Sequence, residues 1–330
     1  MRLLVAGGAG FIGSSYVRRR VGAHPGESVR VLDKLTYAGR RENLEGVDGV
    51  ELVVGDICDR DLVREAVEGA DAVVNFAAES HVDRSIHSPG EFIETDVFGT
   101  FVLLEAARDA GIRHLQISTD EVYGSIEEGS FTESSPLDPS SPYSASKAGG
   151  DLIASAFNHT YGAEALIVRG SNNFGPRQHP EKLIPLTILN CLAGDPVPVY
   201  GDGAQVRNWL FVEDFAAAID TVLERGDPGE AYNVGGPDEL PNIEVVRRVL
   251  ELTGRDESLI EHVEDRLGHD RRYSLSSAKV EQLGWKAEVG FHEGIERTVA
   301  WYRDNEAWWE PLRSGEFREY YERQYGRALR

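Results

Sequence analysis

Cysteine is nearly absent. Cys58 and Cys191 are the two in 330 residues, too few for a disulfide framework or a metal-ligand cluster, so a reducing cytoplasm is expected and a bound metal is not. Long apolar runs are missing as well. None approaches the roughly 18 residues that a membrane span requires, and strand-like sequence from Arg2 onward leaves no expected signal peptide. Positive charge is scarce: 34 Lys and Arg against 56 Asp and Glu give a net charge of −22. Such a chain repels nucleic-acid backbones and anionic membranes, so neither is an expected partner. An anionic ligand must instead be held by locally placed Arg, Lys and helix N-termini. Repeats and low-complexity tracts are lacking too. What is present, 41% hydrophobic and 27% charged residues, suits a soluble globular protein with one large or two fused domains.

The first half alternates short apolar runs with helical stretches. Leu3–Ala6, Val29–Leu32, Glu51–Val54, Ala72–Phe76, His114–Ser118 and Ala165–Arg169 read as strands. The spacing of Phe92, Thr95, Thr100, Leu103 and Ala107 predicts one long helix from Phe92 to Asp109. This alternation predicts an α/β fold with a doubly wound parallel sheet of the Rossmann type over residues 1–170. Beyond Ser171, Pro and Gly become frequent and strands shorten. Residues 171–330 are expected to form a smaller mixed α/β domain over the carboxyl ends of the first sheet, with the chain interwoven between the two.

Gly7-x-x-Gly10-x-x-Gly13, enclosing Phe11 and Ile12, lies between the first strand and the first helix. Glycines there let the backbone turn tightly and approach a pyrophosphate at the helix N-terminus. Asp33 ends the second strand about twenty residues later, where a carboxylate takes the adenosine ribose 2′-hydroxyl and repels a 2′-phosphate. NAD is therefore expected over NADP. Lys34 argues the other way, since a cation accepts such a phosphate. Asp56 either contacts the adenine or caps the next helix.

Ile117 to Lys147 carries the densest chemistry. The fifth strand ends in Thr119-Asp120-Glu121, a hydroxyl followed by paired carboxylates. Tyr143 and Lys147 stand four apart, on one face of a helix, where an ammonium is expected to depress the phenol pKa. One site then holds a base, an acid, a second base and a hydroxyl donor. A simple dehydrogenase needs fewer groups.

The glycine spacing together with Tyr143-x-x-x-Lys147 resembles the extended short-chain dehydrogenase/reductase family. Asp33-Lys34-Leu35-Thr36-Tyr37-Ala38-Gly39, Phe76 to Ser85, Ser118 to Gly124 and Asn172-Asn173-Phe174-Gly175-Pro176 narrow the resemblance to the dTDP-glucose 4,6-dehydratases, over nearly the whole chain. That resemblance implies NAD-dependent dehydration of dTDP-glucose. Tyr143 takes the 4-hydroxyl proton as C4 is oxidised, with Lys147 holding the phenolate. Thr119 steadies the C4 oxygen, Glu121 removes the C5 proton, and Asp120 protonates the departing 6-hydroxyl. Asp120 must then stay protonated near neutrality, which burial and Glu121 favour.

The resemblance also distributes the binding residues. Lys34, Leu35, Thr36, Ile57, Phe76, Ala77, Ala78, Ser80 and Asn173 are expected to line the cofactor. Thr95 either joins them or is simply packed. Ser80 and Asn172 face the sugar nucleotide, with Lys182, Leu183, Pro198, Val199, Tyr200 and Asn233. Arg207, Arg266 and His269 are expected on the diphosphate side. A homodimer is implied, through the Phe92 helix and the helix bearing Tyr143.

Three positions depart from the family pattern. Leu267 replaces a usual Pro, Phe215 a common His, and Arg169-Gly170-Ser171 a commoner Arg-Cys-Ser. Trp301, Trp308 and Trp309 with Tyr320, Tyr321 and Tyr325 read either as a stacking platform for bases or sugars or, preferably, as the aromatic anchors of a C-terminal helix. Residues after Pro311 read as a charged tail, mobile or meeting a partner subunit. The alternatives are another sugar-nucleotide enzyme of this fold (a 4-epimerase, a uronate decarboxylase, a dehydratase for another base) and a silent NAD-binding regulator.

Overall fold

A computed structural model describes residues 1–313 and 315–326. Twelve strands occur among them: β1 (Arg2–Ala6), β2 (Ser28–Asp33), β3 (Val50–Val54), β4 (Ala72–Asn75), β5 (Arg113–Thr119), β6 (Ala165–Gly170), β7 (Asn172–Phe174), β8 (Val197–Tyr200), β9 (Val206–Phe211), β10 (Ala231–Val234), β11 (Asp238–Pro241) and β12 (Ile260–Val263). Seven form one parallel sheet in the order β10-β6-β5-β4-β1-β2-β3. Apolar residues dominate β1, β4 and β6, which are buried because helices cover both faces. Alternation along β1 sends Leu3 and Val5 into a core with Phe215, Ile219 and Val222. Leu4 and Ala6 enter a second core on the opposite face, with Val63, Val102 and Leu103.

The register brings the carboxyl ends into line: Ala6 pairs with Leu32 and with Asn75, and Thr119 with Gly170. Strand order reverses beside β1, which lies between β2 and β4. Ligands gather at such a switch point. Gly7, Phe76 and Ser171 follow directly on β1, β4 and β6, and Asp33 and Thr119 close β2 and β5.

Among the described residues, the chain beyond 170 also contributes to the large sheet. Helix Val212–Arg225 covers the first sheet and β10 extends it. A buried cluster fastens the two halves: Arg20, 1% exposed, bonds Glu27, Asp220 and Glu224 at 2.7–3.1 Å. The remaining strands make a β11-β9-β7 sheet and a β12-β8 pair over a core of Phe174, Trp209, Val246, Phe291 and Ile295. Trp301, Trp308 and Trp309 pack on that core, and Trp308 Nε1 donates to Asn43 Oδ1 at 2.9 Å, so the anchor reaches back to the first half.

Two expectations are revised. The predicted Phe92–Asp109 helix is a π-helical stretch, Ile93–Gly99, followed by an α-helix, Thr100–Ala110. Apolar periodicity cannot see the wider turn, since Thr95 and Asp96 are polar yet face inward. The tail after Pro311 contains helix Glu316–Tyr325, with Phe317 and Tyr321 buried against Leu186. Residues 327–330 lie outside the described residues.

A net charge of −22 opposes compaction through self-repulsion. The melting temperature should therefore rise between about 0.1 M and about 1 M KCl, as the Debye length shrinks from about 10 Å to about 3 Å. A flat or falling trend in circular-dichroism melts would mean that screened ion pairs outweigh the repulsion.

Candidate active site at the sheet edge

The glycine loop is as tight as its sequence implies. Gly7 has φ +71°, and a Cβ there would lie 2.4 Å from Ala77 N. A Cβ on Gly13 would lie 2.3 Å from Gly7 O. Gly10 starts helix Phe11–Ala23 with no side-chain cap, leaving first-turn amides directed at the loop. Asp33 accepts from Ala9 N at 2.9 Å and Leu35 N at 2.8 Å, so it braces the glycine loop as well as facing the cavity. Lys34 Nζ sits 2.6 Å from Asp56 Oδ2. Its charge is thereby committed, which weakens the case for a 2′-phosphate. Asp56 also accepts from Cys58 N at 2.9 Å, while the cap of the next helix is Asp59.

Gly7, Gly10, Gly13, Asp33, Lys34 and Asp56 line a cavity of about 310 Å³ with Phe11, Ile12, Thr36, Ile57, Phe76, Ala77, Ala78, Ser80, Thr95, Tyr143, Lys147 and Asn173. Leu35 does not line it; at φ +54° it contributes its amide to Asp33 instead. A second cavity of about 170 Å³ opens from the first and shares Ser80, Glu121, Asn172, Asn173 and Lys182. Leu183, Pro198, Val199, Tyr200, Arg207, Arg266 and His269 also line it.

Asn233 is a correction. It sits on β10, the edge strand of the large sheet, 0% exposed, with its amide spent on Tyr123 OH at 2.8 Å and Phe131 O at 3.3 Å. Asn242 occupies the second cavity, its Oδ1 buried without a protein partner. Sequence reasoning passed over it, although it opens helix Asn242–Thr253 directly after β11, where a pocket residue belongs. Gln205, whose Oε1 is also unpartnered, was missed too, and Tyr325 of the aromatic tail lines the same cavity.

At the junction stand Thr119, Asp120 and Glu121. Thr119 Oγ1 donates to Asp120 Oδ1 at 3.1 Å and accepts from Glu121 N at 3.3 Å. Burial first, and the Glu121 carboxylate second, push the Asp120 carboxyl up to about 8, so it is protonated at neutral pH. Burial also raises Glu121, but Arg266, Arg207 and Lys182 oppose the rise. Both neighbours are raised, but only Glu121 has three cations holding it back, which suits Asp120 to an acid and Glu121 to a base.

Tyr143 departs from expectation. Burial, Glu121 and Asp96 hold its phenol well above the ordinary value, and a hydrogen bond with Thr119 lowers it only in part. Lys147 Nζ donates to Ile117 O at 2.8 Å, so part of its donor capacity goes to the strand. In the protein alone, burial and carboxylates outweigh the ammonium.

Comparison with known proteins places this geometry. The GDP-mannose 4,6 dehydratase family model matches residues 4–298. A dTDP-glucose 4,6-dehydratase of Streptomyces niveus is 51% identical over 95% of this chain and 96% of its own length. The low-salt glycan biosynthesis protein Agl12 of Haloferax volcanii is 53% identical over 92% of this chain and 98% of that protein. The solved structure of DesIV, a dTDP-glucose 4,6-dehydratase of Streptomyces venezuelae with NAD bound, superposes with a TM-score of 0.92 at 53% identity, covering 94% of this chain and all of that one. This chain belongs to the dTDP-glucose 4,6-dehydratase family.

Two of its departures from the dehydratase pattern explain each other. A Cβ on Gly170 would lie 2.4 Å from the Phe215 ring, so the larger aromatic at 215 occupies room that the glycine leaves. Phe215 also lines the main cavity. Leu267, by contrast, is 78% exposed and lines neither cavity.

Gly170→Cys alone should cost about 1–3 kcal/mol through overpacking, and adding Phe215→His should recover most of it. Additive losses in denaturant melts would disprove the coupling. Asp120 yields a pH prediction. Its folded pKa of about 8 exceeds the unfolded value of about 3.9, so the folded state binds more protons and stability falls as pH rises between them. Asp120→Asn should therefore gain melting temperature over the parent progressively from about pH 4 to about pH 8. A gain independent of pH would sink this assignment.

Proposed function

We propose that this chain converts dTDP-glucose into dTDP-4-keto-6-deoxyglucose and water, with NAD in the larger cavity and the sugar nucleotide in the smaller. The observation that carries this reading is the Asp120–Glu121 pair, one protonated and one restrained by cations, at the junction beside Tyr143. The fit to the cofactor rests on the Gly7–Gly13 cradle, which a side chain would fill, and on the buried, unpartnered Oδ1 of Asn173. NAD, when bound, takes hydride from C4, returns it to C6, and adds a cationic ring beside the phenol. Tyr143 removes the 4-hydroxyl proton, and Lys147, one turn on, holds the phenolate. Thr119 donates to the oxygen becoming the C4 ketone. That ketone acidifies C5, and Glu121 takes the C5 proton. Asp120 protonates the 6-hydroxyl, which leaves as water. Glu121 finally returns its proton to C5.

In the smaller cavity Arg207 and Arg266 hold the diphosphate. Arg207 lies 4.2 Å over the Tyr273 ring, with Nη1 and Nη2 bonded to Val206 O and Asp270 O. Asn172 and Asn242 offer unpartnered oxygens to the sugar nucleotide. A 4-epimerase has no elimination to perform and no use for an acid beside the C5 base.

No helix among the described residues is long and apolar enough to cross a membrane, and the two cysteines are free. We place the enzyme in the cytoplasm on that chemistry. Ile93, Phe98, Leu152 and Tyr161 are 41–61% exposed on the Ile93–Gly99 stretch and helix Pro142–Tyr161, a surface suited to a homodimer. Leu152→Asp should halve the mass in light scattering; an unchanged mass would move the interface elsewhere.

Incubation with dTDP-glucose and NAD should yield a 4-keto-6-deoxy product, read by its alkaline absorbance. No product, with turnover of UDP-galactose or UDP-glucuronate instead, would overturn the reading. Glu121→Gln should still oxidise C4 and accumulate reduced cofactor while product formation falls at least about 100-fold, the lower range of a lost general base.

A further inference from the structure

Asp96 is buried, 1% exposed, and the reaction above gives it no task. It lies in the π-helical stretch Ile93–Gly99, and π-turns often occur at functional sites. The stretch presses on helix Pro142–Tyr161 where that helix carries two glycines. A Cβ on Gly149 would meet Val97 Cγ2 at 2.9 Å, and one on Gly150 would meet Asp96 O at 3.0 Å. The carboxylate joins two parts of the site. Oδ1 accepts from Glu79 N at 2.9 Å, in the loop between Ala78 and Ser80. Oδ2 accepts from Ser146 Oγ at 2.6 Å, one residue before Lys147.

We propose that Asp96 is a positioning residue for C4 oxidation: its buried negative charge ties the Tyr143–Lys147 helix to the cofactor loop and stands behind the reacting phenol. The inference rests on the dehydratase reading above. The ionisable groups facing it are Lys147 and Tyr143 from helix Pro142–Tyr161 and Glu79 from the loop after β4. Burial lifts Asp96 to about 6 while Lys147 opposes the rise, so it is charged at neutral pH. A fixed negative charge there disfavours the phenolate. Ser146 sharpens the case. Its hydroxyl has one proton and two acceptors in reach, Asp96 Oδ2 at 2.6 Å and Tyr143 O at 2.8 Å. An Asn at 96 would keep both links: its Oδ1 accepts from Glu79 N, its Nδ2 donates to Ser146 Oγ, and the hydroxyl proton goes to Tyr143 O. Asp96→Asn thus removes charge and leaves the connections in place.

The test uses Glu121→Gln as background, because its reduced cofactor reports C4 oxidation alone. Adding Asp96→Asn should move the acid limb of the pH–rate profile for cofactor reduction to lower pH by about one unit, with little change in NAD affinity. An unmoved limb in a folded protein overturns the role of Asp96. Absence of reduced cofactor in the Glu121→Gln background, with dTDP-glucose supplied, instead overturns the dehydratase reading. If the Asp96→Asn protein does not fold, Ser146→Ala tests the link from the other side. It unties the carboxylate from the helix and keeps the charge, so oxidation should slow severalfold with the limb unmoved. An unchanged rate in that variant counts against the proposal.

Discussion

Two adjacent carboxyls held out of water repel one another, and much of the second half of the chain answers that repulsion. Asp120 and Glu121 sit where β5 leaves the large sheet. Removing them from solvent is costly unless a charge is neutralised or paired. Both remedies are used. Asp120 keeps its proton, and Glu121 faces Arg207, Arg266 and Lys182. All three cations come from beyond residue 170, carried by β9, the segment after β12, and the turn before helix Leu183–Ala193. The first half brings the acids and the second half brings the charge that makes them different from each other.

The same division explains what could be read in advance. Six strands of the large sheet were legible because each is a short apolar run bounded by a turn. The glycine cradle, Asp33 and the Thr119 to Lys147 groups were legible because chemistry fixes their spacing. β10 was not, since Tyr232 and Asn233 break its apolar pattern and its partner strand lies more than sixty residues earlier. Asn233 was misplaced for that reason, and Asn242 was missed beside it. The π-turn at Ile93–Gly99 was hidden because Thr95 and Asp96 look like the polar face of an amphipathic helix. The raised Tyr143 phenol needed coordinates too. Sequence placed Lys147 near it, but burial and the facing carboxylates were invisible until the helix was docked.

Partnership across the chain also accounts for departures that looked like losses. Gly170 and Phe215 are forty-five positions apart and fill one volume. Arg20 is buried only because Asp220 and Glu224 arrive from the other half. Neither pairing leaves a local mark in the sequence.

The Thr119 hydroxyl has a consequence for how the site is restored. With the proposed roles, Tyr143 ends each cycle holding the former 4-hydroxyl proton, and Asp120 ends it lacking the proton given to O6. Asp120 is buried at 2% exposure, and Tyr143 is partly buried beside it. Thr119 bonds Asp120 Oδ1 at 3.1 Å and also bonds the Tyr143 phenol. A hydroxyl between them accepts on one side while donating on the other, and its own charge never changes. The surplus of the oxidation then matches the deficit of the elimination, and a single side chain joins the two groups.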